Sequence, residues 1–66
     1  MLCLGMKITD LEINDRVAFK YGNNLQHFDT GDVIQIENNC VHIEVKELEV
    51  FEVAESELLD CYHWRA

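Results

Sequence analysis

Proline is absent from this chain of 66 residues, and glycine occurs only three times. The two residues that mark most turns are therefore scarce, so loops have to be inferred from Asn and Asp clusters and from changes in hydrophobic periodicity. Basic residues are also few: five Lys and Arg stand against thirteen Asp and Glu, giving a formal net charge of -8. This negative charge argues against direct binding to nucleic acid or to an anionic membrane.

The chain also lacks a long hydrophobic run. Its longest apolar stretch near the start, Met1–Met6, ends at Lys7 and is too short for a signal sequence or a membrane span. The cysteines are Cys3, Cys40 and Cys61. An odd number without a secretion signal indicates reduced thiols and a cytoplasmic protein. We expect a single small domain over residues 1–66, in which residues 1–8 form an N-terminal extension or an added strand. Met6 is an alternative start, in which case the first five residues lie upstream of the domain.

Alternating apolar and polar residues predict several strands. Residues 16–21 place Val17 and Phe19 on one face, and residues 33–37 and 40–45 form a hairpin around Asn38-Asn39. The residues expected in the core are Ile13, Val17, Phe19, Ile34, Ile36, Val41, Ile43, Val45, Phe51, Val53 and Leu58.

The region from residue 46 to residue 60 fits either a strand or a helix, because it has no breaker and is rich in Glu and Leu. Its β-branched valines favour a strand over residues 49–53. Residues 54–58 are predicted to form one helical turn, and residues 59–64 form either a last strand or a continuation of that turn. Five short strands cannot cover both faces of an open sheet at this length, so we expect a small barrel, closed or nearly closed, over residues 11–60.

The order of motifs resembles that of the SH3-like small β-barrel proteins of bacteria and phages. An opening segment Leu11–Val17 is followed by a polar loop Gly22–Thr30, by Gly31-x-Val33 entering a hairpin, and by a closing turn within Phe51–Leu58. The resemblance implies a mainly β fold, a small five-stranded SH3-like barrel with one short helical turn near the C-terminus. Polyproline recognition is not implied, because an aromatic-lined groove has no clear counterpart in this sequence.

Acidic residues are concentrated in the second half of the chain. Residues 37–66 contain eight acidic and two basic residues, a net charge of -6 out of the total of -8. They are either a solvated face that keeps the protein soluble, or a fixed row of carboxylates that mimics nucleic-acid phosphates and docks on a basic protein surface. The predicted partner-binding residues, which include an aromatic tip, are Glu44, Glu47, Glu49, Glu52, Glu55, Glu57, Asp60, Tyr62 and Trp64. The alternative for Trp64 is that it covers the open end of the barrel.

Two Cys-x-His pairs, Cys40/His42 and Cys61/His63, have the spacing that places both side chains on one side of a strand. If the two strands were adjacent, the four side chains would form a tetrahedral set suited to Zn²⁺. The alternative is that both cysteines fill half-buried sites and both histidines lie on the surface. No order of residues indicates a nucleophilic pair or a phosphate-binding loop, so we expect no catalytic residues and no cofactor.

The leading hypothesis is a non-enzymatic, acidic protein-binding module whose partner is a protein with a basic surface. Its most concrete form is an inhibitor that occupies a nucleic-acid-binding surface, an anti-CRISPR-like nucleic-acid mimic encoded by a phage or mobile element. The alternatives are a structural accessory subunit of a larger enzyme or electron-transfer complex, and a small zinc-stabilised domain.

Overall fold

The strands of the chain build one antiparallel sheet. The computed structural model describes residues 5–47 and 49–65, apart from the side chain of Cys61. Its strands are β1 (Arg16–Tyr21), β2 (His27–Ile36), β3 (Cys40–Val45), β4 (Glu49–Ala54) and β5 (Leu58–Trp64). Single 3₁₀ turns lie at Ile8–Asp10, Asn23–Leu25 and Glu55–Glu57. The predicted mainly β fold class is confirmed.

The sheet has the strand order β4-β3-β2-β1-β5. The first four strands follow one another as antiparallel neighbours, and β5 returns to pair with the free edge of β1. Among the described residues no ladder joins β4 to β5, so the sheet is open between these two strands. The closed barrel expected from the sequence therefore stays a prediction.

The region after Lys46, for which the sequence left helix and strand open, contains β4 and β5. The 3₁₀ turn Glu55–Glu57 connects the two strands where one helical turn was predicted. The Glu57 Oε1 atom accepts the Ala54 N–H at 2.9 Å and caps this turn. Val53 favours the strand here, because it lies opposite Val41 on the core-facing side of β3.

Strand β2 is longer than the sequence predicts. It begins at His27 instead of Val33, and the expected polar loop Gly22–Thr30 is replaced by a 3₁₀ turn followed by the first half of this strand. Residues 27–32 are mostly polar, yet their backbone pairs with β1 along its whole length. Backbone hydrogen bonds to β1 hold this segment as a strand. The sequence prediction missed it because the segment lacks alternation of apolar and polar residues.

The core lies on one face of the sheet. It consists of Ile8, Leu11, Val17, Phe19, Val33, Val41, Ile43, Val45, Val53 and Leu58. Phe51, which was also predicted inside, is partly buried against this cluster. The ring centroids of Phe19 and Phe51 lie 5.2 Å apart, and those of Tyr21 and Phe51 lie 5.0 Å apart. Each such aromatic pair contributes about 0.5–1.5 kcal/mol beyond its buried area.

Three residues predicted in the core are exposed: Ile13 by 48 %, Ile34 by 42 % and Ile36 by 36 %. On β2 the cause is a β-bulge, because Val33 pairs with Ile43 while Gln35 already pairs with His42. Ile34 is the extra residue of this bulge, so Val33 and not Ile34 enters the core. Ile36 lies at the end of the strand. Ile13 precedes a residue of positive φ in the loop before β1.

The loop before β1 is held by a buried carboxylate. Asp15 is only 1 % exposed, and its Oδ2 atom accepts the Glu12 N–H at 3.0 Å and lies 2.8 Å from His63 Nε2. The Asp15 backbone carbonyl also accepts the Val33 N–H at 2.8 Å. Asp15 therefore connects the loop, β2 and the end of β5, which explains why a charged residue is buried here.

The N-terminal segment packs on the same framework. Its Ile8 and Leu11 are buried in the core, and the Ile8 N–H donates to Glu55 Oε1 at 2.9 Å. Gly5 forms an isolated antiparallel bridge with Leu59 on β5. Residues 1–4 of the predicted extension lie outside the described residues. Helices able to span a bilayer are absent from the described part of the chain.

Candidate binding surface

The sheet face that points away from the core, called the outer face here, carries a line of cross-strand neighbours. Partners in antiparallel ladders lie side by side on one face of the sheet, so the strand registers define this line. From β5 to β4 it consists of Trp64, Arg16, Asp32, Glu44 and Val50. We call this set the cross-strand row. It brings residues from both halves of the sequence onto one surface.

The charges at the centre of the cross-strand row are not balanced. Arg16 Nε lies 3.4 Å from Asp32 Oδ1, an exposed pair of the kind that contributes about 0–1 kcal/mol to stability. Asp32 in turn lies opposite Glu44. Like charges that face each other across a ladder are destabilising. Within the described residues no Lys or Arg forms an ion pair with Glu44, so the Glu44 carboxylate gains no stabilising ion pair in the folded protein.

A surface groove runs beside the row. Its charged lining residues are Arg16, Asp29, Asp32, Glu44, Lys46 and Glu47. Carboxylates therefore outnumber cations in this groove, and a cationic ligand group is favoured there. Asp29 and Asp32 come from residues 1–36, which contain five acidic and three basic residues and so carry only -2 of the total charge. The pairing of β2 with β3 brings Asp32 opposite Glu44, the one acidic residue of β3.

Two aromatic side chains extend the row at the edge strand β5. The rings of Tyr62 and Trp64 stack with a centroid separation of 6.0 Å and an interplanar angle of 27°. They are 55 % and 53 % exposed. Exposed Tyr and Trp side chains are the types that most often carry binding energy at protein interfaces. The register places Trp64 beside Arg16 on the outer face, so the aromatic pair adjoins the acidic centre of the row.

The acidic residues of β3 and β4 do not form the single row expected from the sequence. Glu44 and Glu52 lie on the outer face, Glu52 as the partner of His42. Glu49 pairs with Val45, which is buried in the core, and so lies on the opposite face at the sheet margin. Glu47 lies in the turn between β3 and β4.

The remaining predicted acidic residues are close to the third 3₁₀ turn. Glu55 and Glu57 accept backbone N–H groups, as described above, so these carboxylates stabilise the fold locally. Asp60 is exposed on β5. Of the predicted partner-binding residues, Glu44, Tyr62 and Trp64 are thus the ones that the register and the ring contacts bring together with the acidic groove.

The alternative zinc set of Cys40, His42, Cys61 and His63 required β3 and β5 to be adjacent, and in the sheet they are not neighbours. Strands β2 and β1 lie between them in the sheet. His63 lies on β5, at the edge of the sheet, and contacts Asp15 in the loop before β1. The side chain of Cys61 lies outside the described residues.

The first pair, Cys40 and His42, has different neighbours. Glu37 Oε2 is hydrogen-bonded to His42 Nε2, and Glu52 Oε1 accepts from Cys40 Sγ at 3.8 Å. Cys40 is buried, and burial raises the pKa of its thiol, with smaller contributions from the negative charges of Glu37 and Glu52. Glu37 was not among the predicted ligands, although its position across the Asn38-Asn39 turn could have indicated it.

These observations define a small antiparallel β protein with a polar and aromatic outer face. A family model described as a domain of unknown function, DUF7205, matches residues 8–62, and the chain belongs to this family. No curated protein and no solved structure was found to match the chain.

Proposed function

We propose that this protein is a non-enzymatic, acidic protein-binding module that docks its outer face on a basic surface of a partner protein. The single observation that carries the proposal is the facing pair Asp32 and Glu44 next to the exposed Tyr62/Trp64 stack. The like-charged pair costs stability on its own, and the aromatic pair leaves a large apolar area in water. A cationic partner that covers the aromatic rings relieves both penalties on binding.

The proposed partner is a protein that handles nucleic acid, and the proposed effect of binding is inhibition. Carboxylates on neighbouring strands or at alternate positions of one strand are separated by about 5–7 Å. This spacing is comparable to that of successive phosphates along a nucleic-acid strand, so a groove shaped for phosphates also accepts the carboxylates of Asp32 and Glu44. Binding of the module then competes with nucleic acid for the same Lys and Arg side chains.

The finer details of the fold belong to the same proposal. A four-strand meander, a 3₁₀ turn between β4 and β5, and the return of β5 to β1 support an SH3-like barrel in which β4 and β5 approach each other. Cross-strand amide contacts between β4 and β5 in solution would establish closure. A cytoplasmic location is also proposed, on the ground that Cys40 is a free thiol.

A structural accessory subunit is the second candidate, and it is favoured by apolar residues on the outer face. Phe28 is 63 % exposed and Val50 is 53 % exposed. Contacts through such residues bury apolar area and persist at high salt, whereas contacts through Asp32 and Glu44 weaken as salt screens the charges. The salt dependence of binding therefore distinguishes the two candidates.

The test is capture of partner proteins by the immobilised chain from the cells that encode it, at low and at high salt. The proposal expects capture to be lost in Glu44→Lys and in Trp64→Ala, to weaken steeply with salt, and to be reversed by added DNA or RNA. The matched control is Glu49→Lys, which makes the same charge change on the opposite face. We expect it to capture as the unmodified chain does.

Equal loss in Glu44→Lys and Glu49→Lys would show that only net charge matters and would contradict a defined docking face. Capture that is indifferent to salt and to nucleic acid but lost in Phe28→Ser would favour the accessory subunit instead. Circular dichroism on every variant confirms that the sheet is intact before capture is compared.

A further inference from the structure

The hairpin between β2 and β3 brings three different metal-ligand types to one place. The Glu37 N–H donates to the Cys40 carbonyl at 2.9 Å, which closes the turn around Asn38 and Asn39 and holds Glu37 beside Cys40. His42 follows two residues later on β3, so its side chain lies on the same face as that of Cys40. The backbone thus positions carboxylate, thiol and imidazole together before any ligand binds.

The ligand atoms of this cluster are already close. The Glu37 carboxylate, Cys40 Sγ and the His42 imidazole all lie within 4.8 Å of one another. Around a tetrahedral zinc ion, with bonds of about 2.0–2.3 Å, neighbouring ligand atoms are separated by about 3.3–3.8 Å. Glu37 is exposed and His42 is half-buried, so rotation of these two side chains can adjust the separations while the turn holds the backbone in place.

A fourth ligand is available from the neighbouring strand. Glu52 on β4 is the register partner of His42, and its Oε1 atom lies 3.8 Å from Cys40 Sγ. The cluster therefore places two carboxylates around a buried thiol, and among the described residues neither carboxylate has an ion pair with Lys or Arg. A divalent cation bound here would neutralise this negative charge.

We propose that Glu37, Cys40 and His42, completed by Glu52, form a binding site for Zn²⁺. The combination of thiolate, imidazole and carboxylate favours zinc over Mg²⁺ or Ca²⁺, which prefer oxygen ligands alone. On binding, the Cys40 S–H bond breaks, the sulfur electron pair forms the Zn–S bond, and the proton leaves to solvent. Binding therefore releases a proton and weakens as the pH falls.

The site would connect the β2–β3 hairpin to β4 across three strands. A chain of 66 residues buries a small core, and a metal that binds only the folded state adds stability that the core does not supply. None of its ligands belongs to the cross-strand row, so the metal site and the docking surface are tested at different residues.

The experiment uses the full chain with Cys3→Ser and Cys61→Ser, so that Cys40 is the remaining thiol, after treatment with a chelator. Co²⁺ serves as the spectroscopic probe, and Zn²⁺ is then titrated in competition. We expect one equivalent of Co²⁺ to give a thiolate-to-metal charge-transfer band together with the visible bands of tetrahedral coordination. Zn²⁺ should displace it and raise the melting temperature, whereas Mg²⁺ should do neither.

Matched histidine variants locate the site. His42→Ala should lower zinc affinity by more than the roughly 10–100-fold that loss of a ligand's hydrogen-bonding partner costs. His63→Ala, which removes a histidine that contacts Asp15 instead, should leave the affinity unchanged. Circular dichroism verifies that each variant is folded before it is titrated. If His42→Ala does not fold, His42→Gln takes its place.

Absence of a thiolate charge-transfer band, or equal zinc affinity in the two histidine variants, would overturn the proposed site. Equally tight binding of Mg²⁺ or Ca²⁺ would overturn the assignment to zinc. Failure of this proposal would leave the capture experiment on Glu44 and Trp64 unaffected.

Discussion

Two single substitutions to threonine, at neighbouring positions of β2, test the register of the sheet. Val33 is fully buried opposite Ile43, whereas Ile34 is the exposed bulge residue. Threonine is β-branched like both residues and keeps the strand preference at either site. Val33→Thr and Ile34→Thr therefore differ mainly in whether the new hydroxyl is in the core or in water.

The magnitude follows from this difference in burial. Threonine has nearly the shape of valine, so Val33→Thr creates no large cavity but buries a hydroxyl among apolar side chains, at a cost of about 1–3 kcal/mol. Ile34→Thr loses apolar carbon that is only half-buried and places its hydroxyl in solvent, so we expect a cost below about 1 kcal/mol. A chain of 66 residues has a free energy of unfolding of about 3–10 kcal/mol, so the first change removes a large part of it.

Urea unfolding followed by circular dichroism measures both free energies, and thermal unfolding gives a second reading. At about 4–8 °C per kcal/mol for a domain of this size, Val33→Thr should lower the melting temperature by about 8–16 °C if it costs about 2 kcal/mol. The dependence on urea should stay the same in both variants, since neither changes the area buried on folding. If Ile34→Thr costs as much as Val33→Thr or more, the bulge and the register described here are wrong.

Two further predictions concern positions of close packing. Gly31→Ala should destabilise the fold by about 1–3 kcal/mol in urea unfolding, because the added Cβ would lie 2.5 Å from the Glu44 carbonyl oxygen on β3; full stability would contradict this approach of the strands. Alkylation of Cys40 by iodoacetamide, in metal-free protein with the other cysteines replaced by Ser, should be slower than alkylation of the unfolded chain over the pH range 7–9. Its pKa is raised by burial and by two carboxylates, so less thiolate is present at each pH, and Glu52→Gln should speed the reaction; an unchanged rate in that variant would contradict the electrostatic contribution.

Local alternation in the sequence correctly predicted most of the sheet. The segments around Phe19 and Ile43 alternate between apolar and polar residues, and their apolar positions are the centre of the core. The same reasoning was wrong at Ile34, because a single extra residue shifts every later side chain to the other face. Whether a strand contains such a bulge depends on its partner strand, and alternation within one segment does not report it.

The candidate binding surface was only partly predictable for a related reason. The carboxylate of Glu44 and the aromatic ring of Trp64 were expected to contact a partner, and the sheet brings them onto one face. Asp32 was missed because it is distant from Glu44 in the sequence and becomes its neighbour only through pairing of β2 with β3. Conversely, Glu49 was grouped with Glu52 by proximity in the sequence, but their positions on β4 differ by an odd number of residues and face opposite ways.

By itself the sequence determined the mainly β class, the negative charge and the individual residues able to bind a cation or a basic surface. These properties depend on composition and on the two-residue period of a strand, both of which are local. Only the tertiary structure decided which of these residues meet. It separated His63 from His42, placed Glu37 and Glu52 beside Cys40, and aligned Asp32 with Glu44. Apart from the contact of Glu37 with Cys40 across one turn, these arrangements depend on strand order and register, which the burial of the whole core selects.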